Sequence, residues 1–186
     1  VYTNYPKAEL FVNGKSMGVK AKSKDSVFSR YRLMWNDVVY QPGEIKVVAY
    51  GADGKPAAEK TVKTAGEPAQ IKLIPEKKRI LCDRNDLAFV ELQILDKDGN
   101  LCPRANTMVF VRVEGNGRLR ALCNGDASDL AAFSSNYMRA YNGKLMIVAD
   151  SPSGDSGNFR ITASTAQLKS GSAVIEVDGR CGWAVL

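Results

Sequence analysis

The strongest constraint in this chain is a hydrophobic period of two. Through residues 87–95, Ala88, Val90, Leu92 and Ile94 alternate with Phe89, Glu91 and Gln93. Successive side chains of an extended strand point to opposite faces, so this pattern buries one face and wets the other. Residues 7–12 repeat it with Ala8, Leu10 and Val12, and residues 107–113 with Val109, Val111 and Val113. Shorter strand-like runs cover 31–35, 44–50, 57–63, 70–74, 145–149, 159–164 and 172–177. No segment keeps an apolar period of 3.6 beyond two turns, so helices should be minor.

The punctuation between the runs agrees with strands. Asn13-Gly14 directly follows the first run, and both central residues of the tight hairpin turn it predicts need positive φ. Gln41-Pro42-Gly43 and Asp53-Gly54 turn the chain twice more, giving about five strands before residue 64. Ala65-Gly66-Glu67-Pro68 then breaks any regular element, because Pro68 disfavours helix at Glu67. The expected organisation is all-β, with two tandem β-sandwich domains at 1–64 and 67–177. Residues 178–186 are a terminal tail without assignment, and the Asn/Ser/Asp-rich stretch 123–143 reads as a long ordered loop.

Composition narrows the partners. No stretch approaches the ~20 apolar residues that cross a bilayer. Val1-Tyr2-Thr3-Asn4 lacks the basic start and apolar core of a signal peptide, so the chain reads as a piece of something longer. The net charge of +6 is concentrated at the start: residues 1–66 hold 11 Lys/Arg against 6 Asp/Glu. Lys20, Lys22 and Lys24 share one face of a strand or its loop, as on a solvated sheet edge. No basic-aromatic motif accompanies them, so nucleic acid is not an expected partner. The four cysteines, Cys82, Cys102, Cys123 and Cys181, form no C-x-x-C pair. Their dispersed spacing reads as free thiols rather than a disulfide framework.

The chain contains no histidine, which removes Ser-His-Asp and Cys-His catalysis. It also lacks a phosphate-binding glycine loop. A glycosidase pair of carboxylates stays open chemically, but Glu9, Glu91 and Glu176 fall at outward strand positions and Glu44, Glu67 and Glu76 at strand ends. No cofactor is expected, with calcium as the alternative. Asp83, Asp86, Asp96 and Asp98 lie near strand ends, and Asp126 and Asp129 share the long loop. Asp96-Lys97-Asp98-Gly99-Asn100 matches part of an EF-hand loop but lacks its distal glutamate, so a hairpin turn is preferred over calcium at Asp96 and Asp98. Alternation places Tyr31 and Trp35 on one strand face with Leu33, so they read as core rather than a sugar platform. Trp183 falls in the unassigned tail.

Specific strings add to these patterns. Tyr2-Thr3-Asn4 with Ala8-Glu9-Leu10-Phe11-Val12-Asn13-Gly14-Lys15-Ser16-Met17-Gly18 resembles the "YTN…VELFLNGKSLG" signature. That signature opens the module after the catalytic barrel in β-galactosidase-like enzymes of glycoside hydrolase family 2. Trp35 and Tyr40-Gln41-Pro42-Gly43-Glu44-Ile45-Lys46-Val47 resemble its continuation, and Thr64-Ala65-Gly66-Glu67-Pro68-Ala69 resembles the joint to a C-terminal immunoglobulin-like module. Leu87-Ala88-Phe89-Val90, Asp96 to Asn100, Asn124-Gly125-Asp126 and Arg139-Ala140-Tyr141-Asn142-Gly143 follow that module's motifs in order.

The resemblance implies two tandem immunoglobulin-like sandwiches from a periplasmic or secreted bacterial enzyme. In that family the catalytic glutamates lie in an upstream (β/α)8 barrel of the same polypeptide, so no catalytic residue carries over. The implied function is accessory: supporting or framing the barrel in carbohydrate degradation. A carbohydrate-binding module and a cell-surface adhesion module are the alternatives. Asn124, Asp126, Tyr137, Arg139, Tyr141 and Asn142 are the candidate residues for contacting a glycan or forming the rim of the barrel's site.

Overall fold

The computed structural model describes residues 1–82, 85–152 and 155–179. Asp83, Cys181 and Trp183 lie outside the described residues. Contacts divide the chain into two compact units, Val1–Thr64 and the residues from Ala65 onward.

In the first unit, β1 (Lys7–Val12), β2 (Lys15–Ala21), β3 (Glu44–Tyr50) and β4 (Pro56–Lys63) form one antiparallel sheet in the order β2-β1-β3-β4. The alternation in β1 is realised: Ala8, Leu10 and Val12 are buried. Asn13 and Gly14 both take positive φ, 50° and 79°, closing the β1–β2 hairpin. β2 is an edge strand and carries Lys20. Lys22 continues past it and donates its ammonium to the Thr3 carbonyl.

The run 31–35 is not a strand. A one-turn helix, α1 (Val27–Tyr31), ends there, and an irregular segment follows. Leu33 is buried against Ala8 and Ala49, and Trp35 packs beside them. Tyr31 instead stands outside, 64% exposed. Three alternating positions in a run of five satisfy the period without requiring a strand. Here Leu33 finds its backbone partners in the carbonyl and amine of Val1. The second layer of this unit is therefore an irregular segment rather than a second sheet.

The second unit is a two-sheet sandwich. One sheet has the order β5 (Gln70–Pro75), β7 (Ala88–Leu95), β11 (Lys144–Asp150), β9 (Arg118–Cys123). The other has the order β10 (Tyr137–Arg139), β8 (Met108–Gly115), β12 (Gly157–Ser164), β13 (Gly171–Asp178), β6 (Arg79–Leu81). All pairs are antiparallel except β13 with β6. Val90, Leu92, Ile94, Val109, Leu122, Ile147, Phe159, Ile161 and Ile175 are fully buried between the sheets. Burying each such side chain contributes about 1.5–3 kcal/mol, so this core dominates the stability of the unit.

Two sequence expectations need correction here. The stretch 123–143 is not one loop, because Tyr137–Arg139 pairs with β8 as an edge strand. Three residues are too short a run to show a period. The cysteines also divide: Cys102 and Cys123 are free thiols, but Cys82 is disulfide-bonded. Spacing along the chain carries no information about approach in space, which is what a disulfide requires.

Candidate functional site

The six candidate residues lie where β9 and β10 end and where the β10–β11 turn begins. Asn124 organises the loop between them. Its side-chain amide donates to Asp129 Oδ2 at 2.6 Å and to the Arg139 carbonyl at 3.1 Å, while its Oδ1 accepts from the Asp126 N–H. Asp126 in turn accepts from the N–H and hydroxyl of Ser128, and these bonds hold its carboxyl below the ordinary range. Asp129 accepts from the Ala131 N–H. Short Asn and Asp side chains favour such local bonds, which is why this composition folds into turns.

Asn142 has a different task. It takes φ 52° and Gly143 takes φ 75°, turning the chain from Tyr141 back to Lys144. Gly143 is required twice over, since a Cβ there would lie 2.3 Å from the Cys102 carbonyl oxygen. Asn124 and Asp126 are thus engaged by hydrogen bonds within the fold, while Asn142 serves the turn through its backbone and is itself exposed. Tyr137, Arg139 and Tyr141 point outward instead. Tyr137 lies beside Phe110 of β8, ring centroids 6.0 Å apart, and both are about half exposed. Arg139 also donates to the Asn106 carbonyl.

Of the aspartates read for calcium at the strand ends, Asp86 and Asp96 are occupied by N–H donors, whereas Asp98 is exposed and lends its own N–H to Asp96. Asp96 is 1% exposed. Its Oδ1 accepts from the N–H groups of Asp98 and Asn100, and its Oδ2 from the Gly66 N–H and the Asn100 amide. Those donors, led by Asn100 and Gly66, hold its carboxyl at about 2. Asp86 pairs with Lys77 and accepts from the Leu81 and Leu87 N–H groups. Among the described residues, no three His, Cys, Asp or Glu side chains gather as a metal site.

The glutamates are similarly engaged. Glu9 accepts from Ser16 and Tyr50, Glu91 pairs with Lys144 at 2.7 Å, and Glu176 pairs with Arg79 at 2.8 Å. Ser16, then Tyr50, lowers the Glu9 carboxyl, and Lys144, then Gln93, lowers that of Glu91. A glycosidase general acid needs the opposite shift, upward. Sequence reasoning missed Asp150, which is 2% exposed and held bidentate by Arg118, with Arg120 at 3.5 Å. Arg118 and Arg120 alternate along β9, but only the sheet brings Asp150 opposite Arg118.

Known proteins place this arrangement. Residues 71–174 match the family described as glycoside hydrolase family 2 C-terminal domain 5. The chain belongs to the C-terminal domains of glycoside hydrolase family 2. Residues 1–58 match a domain of unknown function (DUF4982). The β-galactosidase BoGH2A of Bacteroides ovatus is 38% identical over 176 residues, which is 95% of this chain but 20% of that protein. A β-glucuronidase of Formosa agariphila is 28% identical over 62% of this chain and 11% of its own length. Among solved structures, a β-glycosidase from Bacteroides vulgatus superposes with a TM-score of 0.84 at 27% identity, covering 94% of this chain and 21% of that one. A family 2 member from Bacteroides cellulosilyticus gives 0.82 at 28% identity, covering 95% and 22%. This family 2 chain thus spans about one fifth of the length of these full-coverage relatives.

Proposed function

We propose that this chain is a non-catalytic accessory region of a family 2 β-galactosidase-like hydrolase, supporting or framing a catalytic barrel carried elsewhere on the same polypeptide. The observation that carries this reading is the coverage: nearly all of this chain aligns to one fifth of a β-galactosidase. The internal engagement of Glu9, Glu91 and Glu176 is consistent with it, since paired carboxylates are poor candidates for acid–base work. Tyr137, Arg139 and Tyr141 are the residues proposed to face the barrel's rim, because they are the exposed aromatic and charged side chains among the six candidates.

The disulfide at Cys82 supports a periplasmic or secreted setting, since disulfides persist in oxidising compartments. Two preparations test the function: the purified 186-residue chain and the full-length polypeptide. Expected is turnover of aryl β-galactosides by the full-length protein and none by the chain alone. Turnover by the chain would overturn the accessory reading, and an inactive full-length protein would overturn the hydrolase assignment.

A further inference from the structure

The helix α1 shows its apolar side chains to solvent. Ser26 caps it by accepting from the Phe28 N–H. Its polar side chains bond the neighbouring backbone: Ser29 donates to the Ser23 and Ser26 carbonyls, and the exposed Arg30 donates to the Lys24 carbonyl at 2.9 Å. The apolar ones face solvent. Val27 is 73% exposed, Phe28 64% and Tyr31 64%, and no residue of the helix is buried. Tyr2, 78% exposed, lines one cleft with Tyr31. A surface helix normally hides its apolar stripe and shows its polar one. This one leaves its apolar residues in solvent while local hydrogen bonds pin its backbone, so they are presented on an ordered surface.

The surroundings are basic. Lys20, Lys22, Lys24, Arg30 and Arg32 flank the apolar residues in sequence, with Asp25 the one acidic residue between positions 20 and 32, and Lys22 lines the cleft of Tyr2 and Tyr31. The Arg32 guanidinium lies 5.0 Å from the centre of the Phe28 ring. An apolar centre within a charged rim is the anatomy of a docking surface. The rim selects a partner surface that is apolar with acidic borders.

Area decides between a separate copy and a tethered partner. An aromatic side chain buries about 150–250 Å², so three aromatics and a valine at these exposures offer roughly 400 Å². A stable complex between free proteins needs about 800 Å² from each side. A surface joined to its partner by the same polypeptide works at millimolar effective concentration and needs far less. The relatives that align over this whole chain are about five times as long.

We propose that the α1 face, Val27, Phe28 and Tyr31 with Tyr2, docks onto an apolar, acid-rimmed surface of the catalytic portion of the same polypeptide. The inference rests on the accessory reading and names the surface that reading uses. Hydroxyl-radical footprinting of the full-length protein and of the 186-residue chain tests it, with Phe28, Tyr31 and Tyr2 as the reported side chains. Labelling of all three should fall at least several-fold in the full-length protein. Phe28→Ser with Tyr31→Ser should lower the melting temperature of the full-length protein while leaving that of the chain unchanged, because neither side chain is buried in the chain. Lys24→Glu with Arg32→Glu should restore part of the labelling.

Equal labelling in an active full-length protein would overturn the docking and leave the accessory role standing. An inactive full-length protein would instead overturn the hydrolase assignment on which the accessory reading rests. Concentration-dependent dimerisation of the chain, lost in the double serine variant, would assign the face to a second copy and refute the tethered partner.

Discussion

Asn13 and Gly43 offer the sharpest test of how the first unit is assembled. Asn13 Oδ1 accepts from the Glu44 N–H at 2.7 Å, and its Nδ2 donates to the Pro42 carbonyl at 3.1 Å. Gly43, at φ 133°, leaves room for that amide: a Cβ there would sit 2.0 Å from Asn13 Oδ1. Gly43→Ala must therefore expel the Asn13 side chain and break both bonds. At an exposed position each bond is worth about 0.5–1 kcal/mol, the lower part of the usual range. Asn13→Gly tolerates the positive φ and loses the same bonds, so it should cost about 1–2 kcal/mol.

The two changes overlap, so Gly43→Ala should cost about 1–2 kcal/mol less in the Asn13→Gly background than in the natural chain. For a unit of this size that difference moves the midpoint by on the order of 5–10 °C. Urea and thermal unfolding followed by Trp35 emission, in a Trp183→Phe background, would report on the first unit alone. Trp35 packs against its small core and donates to the Gly18 carbonyl at 3.0 Å. Additive costs, agreeing within about 0.5 kcal/mol, would refute the steric link between the two motifs.

Acid should release the Gly66 N–H from Asp96 within the second unit. The Asp96 carboxyl is held at about 2 in the folded chain against an ordinary 3.8, so the unfolded chain binds its proton first. Its stabilising contribution is complete above about 3.8 and disappears as pH falls through about 2. Asp96→Asn should flatten that limb of a stability–pH curve, and an unchanged limb would contradict the assignment. Phe159→Ala empties the centre of the sandwich and should cost about 3–5 kcal/mol by chemical denaturation; a cost below about 1 kcal/mol would mean the site collapses around the change. Among the free thiols, Cys123 is half-buried and Cys102 is buried, with burial, then Asp96 and Glu67, raising the Cys102 thiol. Iodoacetamide should modify Cys123 in the native chain and Cys102 only on unfolding, read by mass spectrometry. Equal native rates would argue against the burial of Cys102.

Local order in the sequence determined a good deal of this protein. The period of two in β1, β7 and β8 identified which side chains enter the cores, because strand geometry converts alternation directly into faces. Asn13-Gly14 identified a hairpin because few residues accept positive φ. The motif strings identified the family, since seven short strings in order carry more information than any one.

Features joining distant residues were decided only in three dimensions. The three-residue strands β6 and β10 exist because neighbouring strands complete their hydrogen bonds, and their sequences are too short to hold a pattern. Tyr31 shares the alternation of Leu33 and Trp35, yet the first is exposed and the others pack. Sequence period fixes a side chain's direction but not whether anything lies in that direction. The same holds for Cys82, whose bond depends on approach in space, and for Asp150, buried under Arg118 and Arg120 across a sheet. The outward apolar face of α1 belongs with them: composition supplied Val27, Phe28 and Tyr31, and only the fold turned them toward solvent.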